Sequence, residues 1–89
     1  MTRTWEADTR AGMRRRIGPP PLDLGVTKAG PDCPEIWELD NGDIAVIGRD
    51  ATDAYRGRLP SGVSVGTDER LVVIPRVTLA AAKPEIPDA

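Results

Sequence analysis

The sequence predicts an α+β fold, mainly β: a small antiparallel sheet of three to four strands, two short helices and a flexible N-terminal arm. Three observations predict it. An Asn41-Gly42 pair sits between two apolar-rich runs, EIWEL and IAVI. A further apolar run, Leu71–Ile74, is followed at once by Pro75 and a helix-forming stretch. Five of the nine prolines and three of the nine glycines crowd into residues 18–34, which reads as a linker with local polyproline II character. The expected division is an arm over residues 1–31, a small domain over 32–84 and a tail over 85–89.

Within the arm, residues 4–17 read TWEADTRAGMRRRI. Trp5, Met13 and Ile17 are spaced by multiples of four and could line one helix face. Gly12 weakens such a helix by about 1 kcal/mol relative to Ala, and Gly18 with Pro19, Pro20 and Pro21 ends it. A helix this short is marginal alone, so the expectation is a segment disordered when free and helical against a partner.

Asn41-Gly42 is the strongest local signal. Both central positions of a type I′ turn need positive φ, which Asn and Gly tolerate, so a tight hairpin is expected. Its register would oppose Leu39 to Ile44, Trp37 to Val46 and Ile36 to Ile47. One face then carries Trp37, Leu39, Ile44 and Val46; the other carries Ile36, Glu38, Ala45 and Ile47. Both are substantially apolar, as in a sheet buried on two sides.

Residues 50–59 predict a short helix capped by Asp50 or Thr52, with Tyr55 and Leu59 inward and Pro60 at its end. Residues 61–69 are turn-rich, with a brief strand at Val63 and Val65. Residues Arg70–Ile74 form a third strand. Pro75 then opens a helix over RVTLAAAK that stops before Pro84, with Lys83 suited to its C-terminal dipole.

The chain has 89 residues, no Phe and 3% aromatic residues, so the candidate core anchors are Trp37, Trp5, Tyr55 and the aliphatics. A chain of this size buries a small fraction of its surface, and oligomerisation is a common remedy. Cys33 is the only cysteine, which fits a reducing compartment. No apolar run follows the charged N-terminus, and no stretch approaches about 18 consecutive apolar residues. A cytoplasmic protein without a membrane segment is therefore expected.

The net charge of −2 conceals an asymmetry. Residues 1–31 carry six basic and three acidic residues; residues 32–89 carry six basic and eleven acidic. A basic arm on an acidic body implies either an acidic partner or docking of the arm on its own body. Arg14, Arg15 and Arg16 are the densest charge and could contact nucleic-acid phosphates, but three charges without interleaved aromatics make a weak grip.

The absence of His removes the usual general base, the usual zinc ligand and the Ser-His and Cys-His nucleophile pairs. Cys33 has no basic neighbour in sequence to activate it and reads as a small thiol. Asp40 and Asp43 flank the turn, yet D-N-G-D lacks the alternating ligands and distal Glu of a calcium loop, so they read as solvated turn residues. The glycines of residues 57–66 match no phosphate-binding loop. No catalytic, metal or cofactor residue is expected.

The segments CPEIWELDNGDIAVIGRD and LVVIPRVTLAAAK resemble a group of small actinobacterial proteins, the BldB-like proteins encoded beside WhiJ-type helix-turn-helix regulators. Cys33, Glu35, Gly42, Ala45, Val46 and Asp50 match the first half of the pattern; Pro75 and the helix after it match the second. The resemblance covers roughly residues 33–50 and 71–83. It implies a regulatory protein that works by binding a DNA-binding partner, and it implies no catalytic residues.

The expected function is thus non-enzymatic regulation through protein–protein interaction, with Trp5, Met13, Arg14, Arg15, Arg16 and Ile17 meeting the partner. The rival expectations are a nucleic-acid-binding accessory using the arginine arm, and a small-ligand-binding protein or enzyme working without His. A homodimer is also expected. Two short helices can hardly cover both sheet faces, which places Ile36 and Ile47 at the dimer interface unless the helices cover their face instead.

Overall fold

A computed structural model describes residues 4–28 and 34–88. Cys33 lies outside the described residues. The architecture is α+β and strand-rich, with a three-stranded antiparallel sheet, a two-stranded sheet and two short helices.

The predicted hairpin is present as β2 (Glu35–Leu39) and β3 (Ile44–Ile47). Its turn differs from the expectation. Gly42 N–H donates to the Leu39 carbonyl at 3.0 Å, and Leu39 N–H donates to the Asp43 carbonyl at 2.8 Å. Gly42 has φ +90°, while Asn41 does not have positive φ. This is a three-residue loop, a tight turn followed by a left-handed glycine, rather than a two-residue type I′ turn. Asn41 uses its side chain instead: its Oδ1 accepts the Asp43 N–H at 2.9 Å.

One extra loop residue shifts the register by one. The observed pairs are Glu35 with Ile47, Ile36 with Val46, Trp37 with Ala45 and Glu38 with Ile44. Because side chains alternate with period two, that slip changes which residues share a face. Glu35, Trp37, Ala45 and Ile47 now lie on one face, and Ile36, Glu38, Ile44 and Val46 on the other. Ile36 and Ile47 are therefore on opposite faces, not side by side as expected.

The third strand of this sheet comes from the segment expected to be an arm. β1 (Met13–Arg16) pairs antiparallel with β2, matching Met13 to Leu39, Arg15 to Glu38 and Arg16 to Trp37, with an irregularity between Met13 and Arg15. Ile17 N–H continues the ladder to the Ile36 carbonyl at 2.8 Å. The helix face of Trp5, Met13 and Ile17 does not form, and residues 13–17 belong to the folded body rather than to an arm ending at residue 31. The physical reason is competition. A short helix containing Gly12 is marginal, whereas the free edge of β2 offers backbone bonds and two carboxylates to successive arginines. Residues 20–26 then run through consecutive turns rather than an extended polyproline segment, with the Pro21 carbonyl accepting the Leu24 and Val26 N–H groups.

β4 (Arg49–Asp50) and β5 (Val72–Val73) form the second sheet, so the strand expected over Arg70–Ile74 is shorter and does not join the hairpin. Gly48 makes this crossing possible. A Cβ there would lie 2.6 Å from the Val73 carbonyl oxygen and 2.8 Å from Ile74 Cγ2. α1 (Thr52–Tyr55) follows and tightens into a 3₁₀ turn over Arg56–Arg58. Asp50 supports its start, accepting from the Thr52 N–H at 3.0 Å and hydroxyl at 2.7 Å. Buried Thr52 in turn accepts the Leu71 N–H at 2.8 Å. Tyr55 does not face inward: it is exposed beneath the Arg58 guanidinium, 4.4 Å from the ring centroid. Val63 and Val65 form no strand.

α2 (Arg76–Ala82) starts after Pro75 as expected, but the chain continues through Pro84 as a 3₁₀ turn over Lys83–Glu85. Proline is tolerated there because the first turn needs no N–H from it. α2 lies against β2, and Ile17, Ile36 and Ala82 form the buried core, with Ile74 packed on it. None of the three aromatic anchors anticipated from the sequence is buried. Ile36, at 6% exposure, is covered within its own chain and offers no free interface surface.

Candidate functional site

The arginine run and the first half of the hairpin meet across β1 and β2. Successive residues on a strand point to opposite faces, so Arg15 and Arg16 serve two different environments. Arg16 lies on the Trp37 face. Its Nε donates to Glu35 Oε1 at 2.8 Å, and the Trp37 Nε1–H donates to the same oxygen at 2.8 Å. The Arg16 guanidinium also sits 5.0 Å from the Trp37 ring centroid, within cation–π range. Burial raises the Glu35 pKa, but the hydrogen bonds from Arg16 and Trp37 and the Arg16 charge outweigh it and hold the carboxyl below its ordinary range.

Arg15 lies on the face covered by α2. Its Nε donates to Glu38 Oε1 at 2.9 Å and its Nη2 donates to the Glu85 carbonyl at 3.0 Å. The side chain thereby ties β1 to β2 and to the turn after α2. Of the charge-based alternatives, docking of the basic segment on its own acidic body is the one these two residues adopt.

The six residues expected to meet a partner therefore separate. Ile17 is in the core at 3% exposure, and Arg15 and Arg16 are engaged internally. Trp5, at 61%, and Met13, at 50%, remain exposed, as does Arg14 in the irregular part of β1. Glu35, Glu38 and Trp37 were not singled out as site residues by sequence reasoning. The signal that could have found them is the alternation of E-I-W-E beside an arginine run of opposite charge.

A second surface lies at the other edge of the sheet. β3 is an edge strand, and Ile44, Val46 and Ile47 on it are exposed. Two open clefts flank the two-stranded sheet. One, of about 460 Å³, is lined by Val26, Pro34, Arg49 and Val73; the other, of about 470 Å³, by Asp50, Asp53, Arg56 and Arg70. The Asp50 carboxyl at the second is held below its ordinary range, first by the Thr52 hydroxyl and then by the Thr52 N–H, which together outweigh the opposing effect of burial; the Arg70 charge adds least. Among the described residues no group of three or more Cys, Asp or Glu side chains could hold a metal ion, and no helix is long and apolar enough to cross a membrane.

Comparison with family models, curated proteins and solved structures finds no match.

Proposed function

We propose that this chain is a non-enzymatic regulatory protein that acts in the cytoplasm by binding a protein partner, a helix-turn-helix regulator of transcription. The observation that carries the reading is the exposure of Trp5, ahead of β1, and of Met13 and Arg14 at its start. A tryptophan left largely in water is costly unless it is used, and Trp and Arg are the residues in which binding energy concentrates at protein interfaces. The ion pairs of Arg15 and Arg16 weigh against the nucleic-acid alternative, because phosphate contacts need free cations. The class of partner comes from the resemblance of the hairpin and the Pro75 helix to the BldB-like group.

Titration calorimetry of the full chain against a purified helix-turn-helix regulator of the WhiJ type tests the proposal. A complex is expected, and the joint variant Trp5→Ala, Met13→Ala, Arg14→Ala should weaken it at least about tenfold while keeping the fold. Absence of binding, or undiminished binding by the folded triple variant, would overturn it.

A further inference from the structure

The two edges of the three-stranded sheet are protected differently. β1 carries three arginines and an irregularity, devices that discourage another strand from pairing with an edge. β3 carries none. Its sequence is Ile44-Ala45-Val46-Ile47, without charge, proline or bulge, and three of its four side chains are 40–48% exposed. The direction of its backbone groups follows from the ladder. Leu39 bonds Asp43, so by alternation Ala45 and Ile47 bond β2, while the N–H and C=O groups of Ile44 and Val46 point away from it. Beyond Gly48, Arg49 and Ala51 are the positions that face β5. Odd-numbered residues thus serve the internal partners along this stretch, and even-numbered ones serve the open edge.

We infer that this edge pairs with the same edge of a second copy, antiparallel, about a two-fold axis through Val46. A second copy fits this edge because the edge is self-complementary. In this register Val46 meets Val46 of the partner subunit, Ile44 meets the partner's Gly48, and Ala45 meets the partner's Ile47. Exposed Arg49 and half-buried Asp43 then lie opposite each other twice, on one face, as non-hydrogen-bonded neighbours whose side chains approach closely. The neighbouring register, centred on Ala45, sets Asp43 against an isoleucine and leaves Arg49 without its counter-charge. The two sheets join into one of six strands, and the exposed Ile44 and Val46 pairs of both copies become a continuous apolar strip. This surface is distinct from the β1 side used by the proposed partner, so either can hold without the other.

Sedimentation velocity of the full chain tests it. Wild type should dimerise at about 100 µM at low salt, as a short edge interface would. Asp43→Arg and Arg49→Asp should each weaken the dimer about tenfold, since both ion pairs become like-charge contacts, and the double swap should restore it to within about threefold. A second readout avoids dependence on charge. In a Cys33→Ser background, Val46→Cys should form a disulfide-linked dimer on mild oxidation, because directly opposed strand residues have Cα atoms about 5.5 Å apart. A monomer at 200 µM (about twice the expected dimerising concentration), single variants as dimeric as wild type, or a double swap that fails to rescue would each overturn the inference. So would a Val46→Cys protein that does not cross-link while wild type remains dimeric.

Discussion

Replacing Glu35 by Gln isolates the charge at the meeting of β1, β2 and Trp37. Glutamine keeps the shape and an acceptor oxygen for Arg16 and Trp37, so the lost quantity is the attraction between a carboxylate and a guanidinium at 2.8 Å. At a separation of about 4 Å between charge centres and an effective dielectric near 20, the gross attraction is about 4 kcal/mol. Desolvation of Glu35, whose side chain is 12% exposed, and solvent screening of Arg16, at 35%, remove most of it. We expect a net loss of about 1 kcal/mol at pH 7, which in a domain of this size lowers the melting temperature by about 4–8 °C. The difference between wild type and variant should depend on pH. The Glu35 pKa is lower folded than unfolded, so its stabilisation is fully present above the unfolded carboxylate value. It is lost as pH falls through the folded one. Urea melts followed by Trp37 emission at pH 7 and at about pH 2.5 measure this, since exposed Trp5 contributes a nearly constant background. Equal stability at pH 7, or a gap that persists undiminished at the acidic pH, would refute the reasoning.

Two further outcomes follow from the packing. Ile17→Ala should cost about 2–4 kcal/mol, because among the described residues Ile17 is one of the three that form the buried hydrophobic cluster, whereas Trp5→Ala should stay within about 0.5 kcal/mol of wild type; a thermal melt with the order reversed would place the core elsewhere. Gly48→Ala drives a methyl group against the Val73 carbonyl and Ile74 and should destabilise by about 1–3 kcal/mol. It should also speed exchange of the Ala51 amide, which bonds Leu71 across the second sheet at 2.9 Å; unchanged exchange would show that this crossing is not tight.

The arginine run shows how charge counting and structure divide the work. A balance of opposite signs between the two parts of the chain states that attraction exists, not where it is used. Strand alternation decides that: Arg15 and Arg16 must point to opposite faces, and β2 offers Glu38 on one and Glu35 on the other. A run that reads as a solvent-facing tail becomes a strand edge held by two ion pairs. Arg14, displaced by the irregularity, stays outside.

What the sequence by itself determined is local. Asn41-Gly42 between two apolar runs suffices for a hairpin, Asp50 two residues before Thr52 suffices to start α1, and Pro75 ahead of an alanine-rich stretch suffices to start α2. Each depends on torsions and hydrogen bonds within a few residues. The tertiary structure alone decided the rest. Whether Asn41 would take positive φ or let its side chain bond Asp43 was a choice of small energy, yet it moved the register by one and exchanged the faces of β3. Whether Met13–Ile17 would be helix or strand depended on an edge about 20 residues away, with matching carboxylates. The core residue Ile17 was legible as apolar, but its place beside Ile36 and Ala82 required β1, β2 and α2 to meet. Local signals are short-ranged in energy, and strand pairing is not, so the elements could be read from the chain while their partners could not.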